Sequence, residues 1–193
     1  MRTFQRGAEP DFLADKWERW GLEWEDRRNQ TPSASFNWRV IGGERVNQKL
    51  LPFLKQQTQD HCSFCDAFPV APPSIETIEH FRPKSAFPRE AYHWLNLYFC
   101  CMYCQQKGDE FDEALLRPDA DGYDFDHFFR WDFTTGKMEI NTLATEPDRQ
   151  RAEVTIRIYR LNEGHPRLRK LAMQHRSAEQ SISPDELPYR HFA

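Results

Sequence analysis

No apolar run in this 193-residue chain approaches the roughly 20 residues that cross a bilayer. The opening MRTFQRGAEPDF also lacks the apolar stretch of a signal peptide, so the expected location is the cytoplasm and no membrane partner is expected. A basic excess is missing as well: 26 Lys and Arg stand against 30 Asp and Glu, for a net charge of -4. Such a chain has no general electrostatic grip on a phosphate backbone. Cysteine is sparse and odd in number, five in all, which in a reducing compartment argues against a disulfide framework. No internal repeat is present. What the chain does have is six Trp and fifteen Phe, ample apolar surface for a packed core, at a length that favours one domain over 1–193.

Along the chain, Leu13, Trp17, Trp20 and Trp24 recur three or four residues apart, which predicts a helix over 11–28 with one greasy stripe for the core or for a partner protein. Residues 44–57 read as a second helix, with Pro52 at a kink or in the first turn. FPVAPPS, 68–74, reads as a loop. The stretch 109–126 carries eight acids against Arg117 alone and reads as a solvated loop. Phe129, Trp131 and Phe133 alternate with polar residues, a Thr-Thr-Gly turn comes next, and Met138 and Ile140 resume the alternation: a β-hairpin. Residues 146–160 fit both a helical and an alternating period; the Thr145 cap, Pro147 and the acidic start favour helix. A further helix comes after Asn162, with Leu168, Leu171 and Ala172 as its apolar positions. From 149 to 176, eight Lys or Arg oppose two Glu, either a solvated face or a phosphate contact.

The cysteines are not scattered. Cys62-x-x-Cys65 and Cys101-x-x-Cys104 lie 35 residues apart, and each short pair can hold two sulfurs on one edge of a tetrahedron. Four thiolates would close a structural zinc site and contribute about 10 kcal/mol or more of folding free energy. Cys100 competes with Cys101, though the two-residue spacing favours Cys101. His61 reads as an exposed or supporting residue beside the first knuckle, His93 as structural before Trp94, with a ligand or proton-shuttle role as the alternative, and His127, His165 and His175 as surface residues.

Between the knuckles stands TIEHFRPKS, 77–85. Zinc at both ends would bring Glu79, His80, Asn96 and Lys107 into one neighbourhood. A carboxylate beside a histidine offers an oxygen ligand for a hard cation and a base that titrates near neutrality. Neighbours on a regular strand point to opposite faces, so a shared site requires the strand to end or bulge at 79–80. Arg82-Pro83 is a suitable place to end it.

The combination CSFC, IEHFRPKS and WLNLYFCCMYCQQK resembles the HNH endonucleases that carry a zinc-bound ββα-metal finger. With PDFLADKWERWG, LLRPDADG and RAEVTIRIYRLN added, most of the chain is similar to the HNH proteins of retron and Septu anti-phage systems. The resemblance implies an α+β fold: a ββα-metal finger with a four-cysteine structural zinc over 58–110, a helical extension over 1–57, and an acidic loop, hairpin and basic helices over 111–193. It further implies a DNA-hydrolysing endonuclease with Glu79 on a catalytic Mg²⁺ or Mn²⁺, His80 as general base, and Asn96 orienting it. Arg82, Lys84 and Lys107 are the candidate phosphate contacts. The implied partners are an ABC-type ATPase and, in retron systems, a reverse transcriptase with its RNA-linked DNA. Where such proteins commonly carry Asn or His as a further metal ligand, this chain has Gln105, whose longer side chain gives up more freedom on binding a cation. The alternative motivated by that residue is a catalytically silent zinc module that binds protein or nucleic acid.

Overall fold

The computed structural model describes residues 1–68, 76–176, 183–187 and 189–190, so most of the proline-rich loop read at 68–74 lies outside the described residues. The predicted N-terminal helix is interrupted. α1 covers Asp11–Ala14 and α2 covers Trp17–Gln30, joined by a turn at Asp15 and Lys16. Leu13, Trp20 and Trp24 are buried, while Trp17, the first residue of α2, is only half-buried and packs at a tilt on His93 with ring centroids 4.3 Å apart. Three of the four stripe residues are buried in the core, and Trp17 packs against it.

A two-residue pair that the sequence pattern did not flag, β1 (Val40–Ile41) and β2 (Glu44–Arg45), turns the chain into α3 (Val46–Thr58). Pro52 lies inside α3, and Val46, Leu50 and Leu54 form its buried face. β3 (Thr77–His80) pairs antiparallel with β4 (Leu97–Cys100), Glu79 opposite Tyr98 and His80 opposite Leu97. β4 runs directly into the short helix α4 (Met102–Gln105).

Asp124 caps α5 (Phe125–Phe128), which leads into the predicted hairpin, β5 (Phe129–Asp132) and β6 (Lys137–Ile140). Phe133, read as a strand position, falls in the turn and is exposed. There the Asp132 carboxylate accepts from the Thr134 and Thr135 amides at 2.8 and 3.2 Å. α6 (Glu146–Ile158) begins where its cap predicted, with the Thr145 hydroxyl accepting from the Asp148 amide. α7 covers His165–Arg176. The architecture is mixed α+β with small antiparallel pairs, and one buried cluster draws residues from Met1 to Leu161. Among the described residues no helix is long and apolar enough to cross a membrane.

Two expectations about charge are corrected. The acidic stretch is not wholly solvated: Asp119 is buried, accepting from Arg6 Nε at 2.7 Å, from the Tyr98 hydroxyl at 2.5 Å and from Arg117. Burial alone would raise its pKa, but the Arg6 and Arg117 guanidiniums hold it below the ordinary carboxylate value. Nor is the basic run wholly a solvated face: exposed Arg157 and half-buried Arg160 reach Glu110 at 3.8 and 3.9 Å, but Arg169 is fully buried.

α2 lies against the turn at 88–90 through Gly21, where an added Cβ would stand 2.1 Å from the Arg89 carbonyl oxygen. Backbone cannot yield as a side-chain tip does, so Gly21→Ala is expected to destabilise the protein by about 1–3 kcal/mol or more. The shift in denaturation midpoint measures it.

Candidate metal centre and acid-histidine site

The four sulfurs converge. One Sγ each from Cys62, Cys65, Cys101 and Cys104 lie within 4.8 Å of one another, all four residues buried and none in a disulfide. Cys65 and Cys101 are 3.6 Å apart at sulfur, close to the edge of about 3.8 Å expected for a tetrahedron with zinc–sulfur bonds of about 2.3 Å. The Cys101 amide also donates to Cys62 Sγ at 3.4 Å. Geometry separates the competing cysteines: Cys101 belongs to the cluster, whereas Cys100 ends β4 and its thiol donates to the Cys101 carbonyl at 3.3 Å. Burial pushes the Cys62 thiol up, but hydrogen bonds from the neighbouring thiols more than offset it and leave Cys62 well below the ordinary range. Cys65, Cys100 and Cys104 are raised, burial being the largest cause for each. A buried set of four thiols within 4.8 Å of one another suits a structural metal such as zinc.

The first knuckle is held from the far end of the sequence. Asp66 accepts from the Arg190 amide at 2.7 Å and from its guanidinium at 2.6 Å, and His61 Nε2 meets the Leu187 carbonyl at 3.0 Å. His61 is thus a buried tie to Leu187. His165 is the larger correction: it is buried, with Nε2 3.9 Å from Cys104 Sγ. His127 is the surface residue expected, paired with Asp148 at 2.9 Å; the side chain of His175 lies outside the described residues.

β3 ends at His80, as the shared-site argument required, and the two side chains leave it in different surroundings. Glu79 is buried against α4 and the turn beyond it. Gln105 Nε2 donates to one carboxylate oxygen at 2.7 Å, and Lys107 Nζ donates to the other at 2.9 Å. Lys107 also donates to the His80 carbonyl at 3.2 Å. Burial pushes the Glu79 carboxyl up, to about 7, with Lys107 pulling the other way. Lys107, read as a phosphate contact, is therefore a buried cation committed to Glu79 and the strand end.

His80 Nε2 lies 2.9 Å from the Ala91 carbonyl oxygen, which can only accept, so Nε2 carries the proton and Nδ1 the lone pair. Trp38 stacks on the ring with centroids 5.4 Å apart and Phe36 meets it edge-on at 5.5 Å. Burial, with Lys84 adding to it, lowers the His80 pKa to about 3, so the ring is neutral near pH 7. Asn96 pins the loop that supplies Ala91. Its Oδ1 accepts from the Arg82 amide at 2.7 Å, and its Nδ2 donates to the Arg82 and Glu90 carbonyls, both at 3.0 Å.

Of the remaining cations, Arg82 pairs with Glu90 and Glu113 at 3.1 and 3.2 Å. Half-buried Lys84 makes no ion pair among the described residues, with Nζ 5.5 Å from the centre of the Phe36 ring. A cavity of about 740 Å³ opens beside this loop, lined by Trp17, Arg82, Arg89, His93, Asn96 and Arg117 among others. His93 packs against Trp17 there, the two rings tilted. Sequence reasoning missed the aromatic cover of His80, because Phe36 and Trp38 belong to a stretch with no period of its own. No protein-family model matches the chain, and no curated protein matches it significantly.

Proposed function

We propose that the chain is a metal-dependent endonuclease of the HNH kind, hydrolysing DNA phosphodiester bonds with His80 as general base. The observation that carries this reading is the state of His80: a neutral ring whose Nε2 proton is held by Ala91, leaving Nδ1 to accept a proton, on a loop that Asn96 fixes with three hydrogen bonds. The order of elements supports it, a strand pair running into a short helix, with the knuckles bracketing the acid-histidine pair.

Glu79 and Gln105 would hold the catalytic cation. Their fit is chemical: a carboxylate lies beside a buried amide oxygen, Gln105 Oε1, that has no hydrogen-bond donor. When bound, Mg²⁺ or Mn²⁺ would act as a Lewis acid on the phosphate. His80 takes the proton of the attacking water at Nδ1. Its depressed basicity calls for substrate: a phosphate neutralising Lys84 removes one of the causes that lower the His80 pKa. Lys84 and Arg82 are the phosphate contacts this reading retains. The net charge of -4 suits a nuclease to which DNA is brought, here by an ABC-type ATPase and, in a retron system, by the reverse transcriptase with its RNA-linked DNA.

The second reading, a catalytically silent zinc module, is favoured by one feature. Both Glu79 oxygens are already engaged by Lys107 and Gln105, so the acid is neutralised without a divalent ion. Plasmid nicking in the presence of the partner separates the two. The nuclease reading expects Mg²⁺- or Mn²⁺-dependent nicking of DNA, with Glu79→Gln needing at least about tenfold more Mn²⁺ for half-maximal rate. Absence of nicking in the complete assembly supports the silent module, and cleavage of RNA instead of DNA changes the substrate.

A further inference from the structure

The last helix is built against its own hydrophobic pattern. Leu168 and Leu171, the apolar positions by sequence, are 37% and 44% exposed, while His165 and Arg169 are 1% and 0% exposed. Four residues apart, those two polar side chains share one helix face, and it is that face α7 turns to the core.

A guanidinium stays charged inside a protein, and burying it costs several kcal/mol unless an opposite charge faces it. Arg169 has no carboxylate partner among the described residues. Its Nη1 donates to the Gly136 carbonyl at 3.2 Å, and its Nε and Nη2 are buried without hydrogen-bond acceptors. The Trp131 ring, 4.6 Å from the guanidinium carbon, supplies part of the compensation. The groups whose negative charge would favour the buried cation are the cluster thiols Cys65 and Cys104, while Tyr189, its phenol pushed up by burial, meets the guanidinium through its ring at 5.6 Å. His165 faces the same cluster through Cys104. Neutral thiols give Arg169 nothing to balance. Four thiolates around one divalent zinc carry two net negative charges, and a buried cation stabilises that centre.

We propose that Arg169 is the buried counter-charge of the metal–thiolate centre, and that α7 is held in the core by that charge. The proposal rests on the metal reading of the four cysteines and is independent of nuclease activity.

The test uses the full chain loaded with zinc and titrated against a chromophoric chelator, comparing wild type, Arg169→Met, Arg169→Lys and, as a surface control, Arg167→Met. Arg169→Met is expected to bind zinc about 10–100-fold more weakly, Arg169→Lys to recover most of the loss, and Arg167→Met to match wild type. Cobalt-loaded wild type is expected to show the intense thiolate-to-metal absorption of a four-sulfur site. Equal zinc affinity in wild type and a folded Arg169→Met overturns the role of Arg169 while leaving the metal centre intact; a wild-type chain that takes up no cobalt on sulfur overturns the centre itself. If Arg169→Met does not fold, amide exchange in wild type decides. Chelation is expected to strip protection from α7 before the β5–β6 hairpin, and α7 protection that survives metal removal contradicts the proposal.

Discussion

Cys101→Ser is expected to abolish stoichiometric metal binding and to remove folding free energy on the order of 10 kcal/mol, enough to unfold the chain. Its neighbour is expected to behave differently. Cys101 presents its sulfur 3.6 Å from that of Cys65, whereas the Cys100 thiol donates to a backbone carbonyl and, though beside Cys62 and Cys104, lies outside the four-sulfur group. Cys100→Ser therefore keeps one metal per chain and costs about 1–3 kcal/mol for a buried polar substitution. Metal content by emission spectrometry and denaturation midpoints on the same preparations check both values. Equal metal loss in the two variants contradicts the assignment of the fourth ligand.

Lys107→Met is expected to cost about 1–3 kcal/mol, because Glu79, already raised to about 7 by burial, loses its cation and a hydrogen-bond donor and must take up a proton. The second half of the cycle carries the argument. In Glu79→Gln/Lys107→Met no buried carboxyl is left without its cation, and most of the lost stability returns if Lys107 acts through Glu79. A double variant no more stable than Lys107→Met shows that Lys107 acts mainly through the His80 carbonyl it also donates to. Urea denaturation of the four proteins measures the coupling.

These expectations divide according to what a linear sequence can carry. Local chemistry was legible: the two knuckles, the Thr145 cap of α6, the turn of the β5–β6 hairpin, and the end of β3 at His80 each depend on residues within a few positions. Asn96 was legible through resemblance, and its three hydrogen bonds to the loop fit the constraining role that resemblance implied. What escaped was long-range compensation. Asp119 reads as one more solvated acid until Arg6 is folded onto it, and Lys107 reads as a surface cation until β3 brings Glu79 across to it. α7 was misread for a related reason. Its leucines set the pattern, but His165 and Arg169 are the residues turned inward, His165 onto Cys104, and hydrophobic periodicity carries no record of that contact. The interruption at Asp15 and Lys16 has no counterpart in the pattern either, since Leu13 and Trp20, seven residues apart, would share one face of an unbroken helix as well.

The central claim is that the cysteine cluster is scaffold and His80 is the reacting base. It is tested most directly by assaying strand nicking in Mg²⁺ or Mn²⁺ for wild type and His80→Ala in the complete assembly, with zinc measured on the same samples. The claim predicts equal zinc in the two proteins and a rate lower by about 10²–10⁴-fold in His80→Ala. Equal cleavage by the two, or none by either, contradicts it.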